Sequence, residues 1–211
     1  MNNKKLCLSL VNCETEKEVI ELLKSANYWD NRKQWINFGD TENNYSTFGN
    51  QQDTPERALV EKLINSVDAV LILECLKRNV NPEGKDAPKT ITDALIDYFG
   101  IDNGKLSNIT TAERTKLAKR ISLVATGAKN NPSYSIIDDG EGQTPENMKN
   151  TILSLAKSNK LKIPFVQGKF NMGGTGALRF CGENNFQLVL TKLNPLAVKN
   201  NNSGSELWGF T

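Results

Sequence analysis

Apolar and polar positions follow a helical period over residues 54–76, TPERALVEKLINSVDAVLILECL. Ala58, Leu59, Leu63, Ile64, Val67, Leu71 and Leu76 form an apolar stripe along one long helix. Thr54 can cap its N-terminus, Pro55 fits the first helical position, and Glu56 suits the positive end of the helix dipole. The same period predicts a charged surface helix over residues 15–26, through Val19, Ile20, Leu22 and Leu23. It predicts two more over 90–99 and 110–126, stopped by Gly100 and Gly127. The short apolar run at 5–13 reads as a strand or a helix start, and Pro145 opens a helix reaching about residue 157. Strands are predicted at 134–138, 186–193 and 206–211, with a turn at 200–204. The last strand sets Trp208 and Phe210 on one face and Leu207 on the other, with no strand after it. Such an edge usually pairs, so the chain is expected to be the N-terminal part of a longer protein.

Two stretches break the periodicity. Residues 27–53 are rich in aromatics and amides (Tyr28, Trp29, Trp35, Phe38, Tyr45, Phe48), as expected for an ordered strap packed on its own core or on a partner subunit. Residues 79–89 form a polar loop with proline and glycine, and 79–131 as a whole reads as a mainly helical elaboration. The expected organisation is an N-terminal helix and strap over 1–53, then a principal domain over 54–211.

The chain has 211 residues, enough for a substantial core, with 26 Lys plus Arg against 24 Asp plus Glu and a net charge of +2. That balance argues against a bulk electrostatic footprint for nucleic acid or an anionic membrane. The absence of histidine removes His-based catalysis. Cys7, Cys13, Cys75 and Cys181 form no CxxC pair, which argues against zinc. Isolated cysteines without a signal peptide suggest a reducing, cytoplasmic setting, and no stretch reaches transmembrane length.

Three stretches could carry chemistry. Within the long helix, Glu61, Asn65 and Asp68 are spaced by four and three residues and so share one face. Asn65 offers a hard oxygen suited to magnesium, and Glu61, one turn earlier, could orient or deprotonate a water. At 138–142 a strand runs into DDGEG, where Asp138 could accept a hydrogen bond from an exocyclic amine and the glycines allow close backbone approach. At 168–176, GKFNMGGTG leads into a short helical run, a setting that favours phosphate. Residues 147–182 hold no acidic side chain but include Lys149, Lys157, Lys160, Lys162, Lys169 and Arg179. No Walker A pattern is present. Taken singly, the three read as a solvated helix face, an Asp-Gly turn and a flexible hinge.

In this order and spacing, EKLINSVDA (61–69), DDGEG and GKFNMGGTG resemble the motifs of the GHKL superfamily of ATPases. Its members include gyrase B subunits, MutL proteins, large heat-shock chaperones and histidine kinases. The resemblance implies an α/β (α+β) two-layer sandwich of the Bergerat type, with a mixed, mostly antiparallel sheet and helices on one face. It implies ATP and Mg²⁺ as cofactors, Glu61 as general base, Asn65 as magnesium ligand and Asp138 as adenine reader. Gly140 and Gly142 would shape the adenine pocket. Lys169, Gly173, Gly174, Thr175 and Gly176 would meet the phosphates, at the end of a lid over about 150–175. Asp68 would play a supporting part. The implied activity is ATP binding with slow hydrolysis, driving a conformational change or nucleotide-dependent homodimer closure together with downstream domains. A non-hydrolysing ATP sensor is the alternative. A histidine kinase catalytic domain is the weakest reading, because no phospho-accepting histidine is present. DNA, a client protein and a signalling partner all remain open as targets, and no membrane role is implied. Two features depart from the pattern: a longer helical segment between the first two motifs, and Gln143 where the family usually has an apolar residue.

Overall fold

The long helix forms as its caps predict. In a computed structural model, which describes residues 2–38, 53–154, 160–168, 176–198 and 204–211, it spans Pro55–Lys77, with the Thr54 side chain accepting from Arg57 N. Before it come α1 (Asn3–Val11) and α2 (Glu16–Ser25), so the opening run is helical, and the long helix is α3. After it come α4 (Ile91–Phe99), closed by Gly100 in the left-handed conformation, and α5 (Thr111–Ala118), started by a Thr110–Glu113 capping box.

The helix expected over 110–126 ends early, and its second half is strand β1 (Ile121–Ala128), antiparallel to β2 (Asn131–Asp138). Ile121, Val124 and Thr126 are β-branched, and Lys129 and Asn130 form a two-residue connection between Ala128 and Asn131. Cross-strand pairing offers this segment ladder bonds that a longer helix would forgo. The hairpin stands largely proud of the core: Leu123, Tyr134 and Ile137 are 45%, 60% and 54% exposed. The helix opened by Pro145, α6 (Pro145–Met148), is a single turn followed by turns to residue 153. The strand expected at 186–193 shrinks to β3 (Leu190–Lys192), which pairs antiparallel with β4 (Trp208–Phe210). The terminal strand thus has a partner upstream of it.

Among the described residues the fold is α+β, with two separate two-stranded antiparallel sheets. Two apolar clusters hold it. The first gathers Leu71, Ile72 and Cys75 of α3 with Ala87, Ala94, Ile163, Phe165 and Val166. Val70, Leu71, Ile72, Leu73 and Cys75 are all buried, so the C-terminal half of α3 is covered on every side and acts as the central post. The second cluster joins Leu6, Leu10, Val19 and Leu23 to Phe186, Leu188, Leu190 and Phe210. The described half of the aromatic strap packs on this cluster: Tyr28 stands edge-on to Phe210, and Trp29 to Phe186 and Trp35. The remainder, 39–52 with Tyr45 and Phe48, lies outside the described residues. No helix among the described residues is long and apolar enough to cross a membrane.

Candidate functional site

The polar row on α3 faces the chain where it enters the glycine-rich stretch. Asp68 is fully buried and accepts from the backbone N–H groups of Gln167 (2.9 Å) and Gly168 (2.7 Å). Lys160 Nζ lies 3.6 Å from the same carboxylate. Two backbone hydrogen bonds and a nearby cation offset the cost of burying this carboxylate. A side chain at Gly168 would run into the Asn65 amide oxygen, so only glycine passes this close. Asp68, expected in a supporting part, is the clasp that holds Gly168 against Asn65. Glu61 is half-buried one turn earlier. Beside it, burial lowers Lys62 to about 8, against the opposing pull of Cys181 and Glu61. Gly176 is buried, while Lys169, Gly173, Gly174 and Thr175 lie outside the described residues.

The DDGEG loop docks on the adjacent side of the same helix. Asp138 ends β2 and stays exposed; one of its oxygens accepts from Ser66 Oγ (2.9 Å) and the other from Gly140 N (3.0 Å). Each oxygen keeps a lone pair for a further donor. A Cβ on Gly140 would stand 2.5 Å from Ala69 Cβ and 2.7 Å from Ala69 C, and Glu141 N donates to Ala69 O at 3.1 Å. Gly142, at φ 58°, passes against the Lys192 carbonyl. Gln143, where the resemblance expects an apolar side chain, accepts from Thr151 Oγ1, and its backbone N–H donates to Thr191 Oγ1 at 3.2 Å.

Sequence reasoning missed Ser66 and Asn194. The Asn194 amide donates to the carbonyls of Asp139 (3.3 Å) and Gly140 (3.1 Å), and its backbone N–H donates to Glu141 O at 2.8 Å. Its sequence signal is only an Asn-Pro turn. Ser66 sits beside Asn65 in the motif and reads there as one more polar helix residue.

Up the helix from Asp68, Leu76 opens onto two cavities of about 260 and 460 Å³, and Ile72 lines the first. Both are lined by Leu76, Asn81, Pro82 and Glu141; Lys160 and Thr151 line the first, Leu193 and Val198 the second. Asp138 lines neither. Burial raises Glu141 to about 7, with Asp138 and Asp68 adding to the shift and Lys160 opposing it. A carboxyl raised in the fold contributes stability below its unfolded value of 4.5, and loses that contribution as pH climbs through about 7. Glu141→Gln is therefore expected to stabilise the chain at pH 8 by on the order of 1–3 kcal/mol and to flatten the decline between pH 5 and 8. Urea unfolding at the two pH values checks this, and parallel curves for parent and variant contradict it.

Among the described residues no three His, Cys, Asp or Glu side chains gather as a metal cage. The structure brings Asn65, Asp68 and Gly168 together, and Asp138, Gly140 and Ala69 together, on one stretch of α3. No family model matches the chain, and neither a curated protein nor a solved structure gives a significant match to it.

Proposed function

We propose that this chain is a magnesium-dependent ATP-binding module of the GHKL type, built on a Bergerat-type sandwich, whose slow hydrolysis of ATP drives conformational change or dimer closure in a larger protein. The observation that carries the reading is the double docking on α3. Asp68 clasps the backbone leading into the glycine cluster, and Ala69, the next residue, receives the DDGEG loop. Three stretches separated by 69 and 26 residues (from Ala69 to Asp138, and from Gly142 to Gly168) meet on one helical turn and its neighbour.

In this reading each side chain has a distinct task. Asp138 accepts from the exocyclic amine of adenine, while Gly140 and Gly142 let backbone pass where a side chain would block the base. Asn65 supplies the protein oxygen for magnesium, which, when bound, neutralises phosphate charge. Glu61 takes the proton from the attacking water. The lysines of 149–169 offset the charge of the triphosphate. Asp68 holds Gly168 in place and touches no reacting atom.

Nucleotide selectivity tests the reading. ATP and ADP are expected to bind better than GTP, whose six-position carries an oxygen in place of the amine. Asp138→Asn is expected to lose on the order of 1.5–3 kcal/mol of ATP binding, the worth of a charge-assisted bond. Equal ATP and GTP affinity by calorimetry would remove Asp138 from the base site.

A further inference from the structure

The DDGEG loop is also fixed from the hairpin side. Arg120 immediately precedes β1 and Asp139 immediately follows β2, so the two face each other across the base of the hairpin. Arg120 Nε donates to both Asp139 oxygens, at 2.8 and 3.1 Å, and Asp139 N donates back to Arg120 O at 3.1 Å. The other arm of the guanidinium, Nη1, donates to Glu74 Oε1 at 2.7 Å. The side chains of Arg120 and Glu74 are 14% and 7% exposed, whereas that of Asp139 is 57% exposed.

Glu74 is an anchored charge. Lys77 donates to it at 2.8 Å and Arg78 at 2.7 Å. Burial pushes its carboxyl up, but the hydrogen bonds from Lys77, Arg78 and Arg120 outweigh that and hold it at about 2. It is therefore ionised throughout the ordinary pH range. Arg120 bridges this fixed point on α3 to an otherwise solvated carboxylate on the loop. A planar fork holds two carboxylates in fixed directions at once, whereas the rotating ammonium of lysine fixes no such angle between them. The exposed arm adds little to global stability, so its consequence is directional. It sets the position of the residue between Asp138 and Gly140.

We propose that Arg120 is a positioning residue for the candidate nucleotide site, its guanidinium tying Asp139 to Glu74 and so fixing how Asp138 and Gly140 stand against α3. This rests on the nucleotide-binding reading above. Asp138 discriminates bases only if its remaining lone pairs point at the base edge, because hydrogen bonds weaken steeply off-axis.

The test uses the full chain with Arg120→Met, Arg120→Lys and Asp139→Asn. It measures affinities for magnesium-ATP and magnesium-GTP, the melting temperature, and hydrogen exchange at the Gly140 and Glu141 amides. Arg120→Met is expected to weaken ATP binding by about tenfold, the equivalent of one hydrogen bond to a charged group, and to narrow the preference for ATP over GTP. Arg120→Lys should fall between it and the parent. Asp139→Asn should act in the same direction, speed exchange at Gly140 and Glu141, and scarcely move the melting temperature. A purely structural arginine would not change the ratio of ATP to GTP affinity. If Arg120→Met fails to fold, Asp139→Asn decides. Folded variants that keep both affinities within about twofold of the parent, less than 0.5 kcal/mol, overturn the positioning role while leaving the nucleotide reading intact. A parent chain that binds neither nucleotide overturns both.

Discussion

Glu61→Ala is expected to leave magnesium-ATP affinity unchanged while lowering single-turnover hydrolysis by about 10²–10⁴-fold, the usual worth of a positioned general base. Asn65→Ala is expected to behave differently and weaken magnesium-dependent binding itself. The two side chains lie one turn apart on α3 and are both half-buried, so their contrast separates chemistry from binding on a single helix face. Asn65 also abuts Gly168, so its loss loosens the clasped backbone as well as the metal shell. A merely solvated polar row predicts no more than about a few tenths of a kcal/mol in stability from either change and no effect on turnover. Measuring affinity and single-turnover hydrolysis for both variants decides the matter. If Glu61→Ala hydrolyses like the parent, the base lies elsewhere and a binding-only sensor becomes the better description.

The largest stability effect is expected at Asp68. Asp68→Ala removes the acceptor from two backbone N–H groups and leaves Lys160 beside a cavity in place of a carboxylate. Breaking a buried pair in this way costs about 3–5 kcal/mol. Asp68→Asn keeps the volume and one carbonyl acceptor, and is expected to cost less, about 1–3 kcal/mol. Urea unfolding gives the magnitudes, and hydrogen exchange at Gln167 and Gly168 gives the place. An Asp68→Ala chain that unfolds at the parent's urea midpoint would mean that the clasp contributes nothing.

What the sequence made legible follows the range of the interactions involved. The long helix was readable to within a residue because Thr54, Pro55 and the apolar stripe act locally, as were Thr90 and Gly100 at the ends of α4. The stretch after Ala118 was misread because Leu123-Val124-Ala125 suits a helix as well as a strand, and only pairing with residues 131–138 chooses between them. The three-residue strands β3 and β4 are too short for an alternating pattern to mark their bounds. In the candidate site, motif order singled out Asn65, Asp68, Asp138 and Gly140 as members of one arrangement. The chemistry of Asp68 needed tertiary structure, because its partners lie 99 and 100 residues away. Ser66, Asn194 and Arg120 carry no local signal either, their contacts to the loop spanning 72, 54 and 19 residues.

The union of α1 with β4 has a consequence for the newly made chain. Cys7 Sγ donates to Gly209 O, and Leu6 and Leu10 share a cluster with Phe186, Leu188, Leu190 and Phe210. While the ribosome is still adding the middle of the protein, Leu6, Leu10, Val19 and Leu23 have only one another and near neighbours such as Tyr28 and Trp29 as native cover, and lack Phe186, Leu188, Leu190 and Phe210. At about 5–20 residues per second, that exposure lasts on the order of 10–40 s, long compared with helix formation and collapse. The cluster under α1 and α2 is therefore completed only once β4 has been made. This interval is when the nascent chain is most open to chaperone capture, and substitutions that make Leu6 or Leu10 more polar would shorten capture while weakening the finished core.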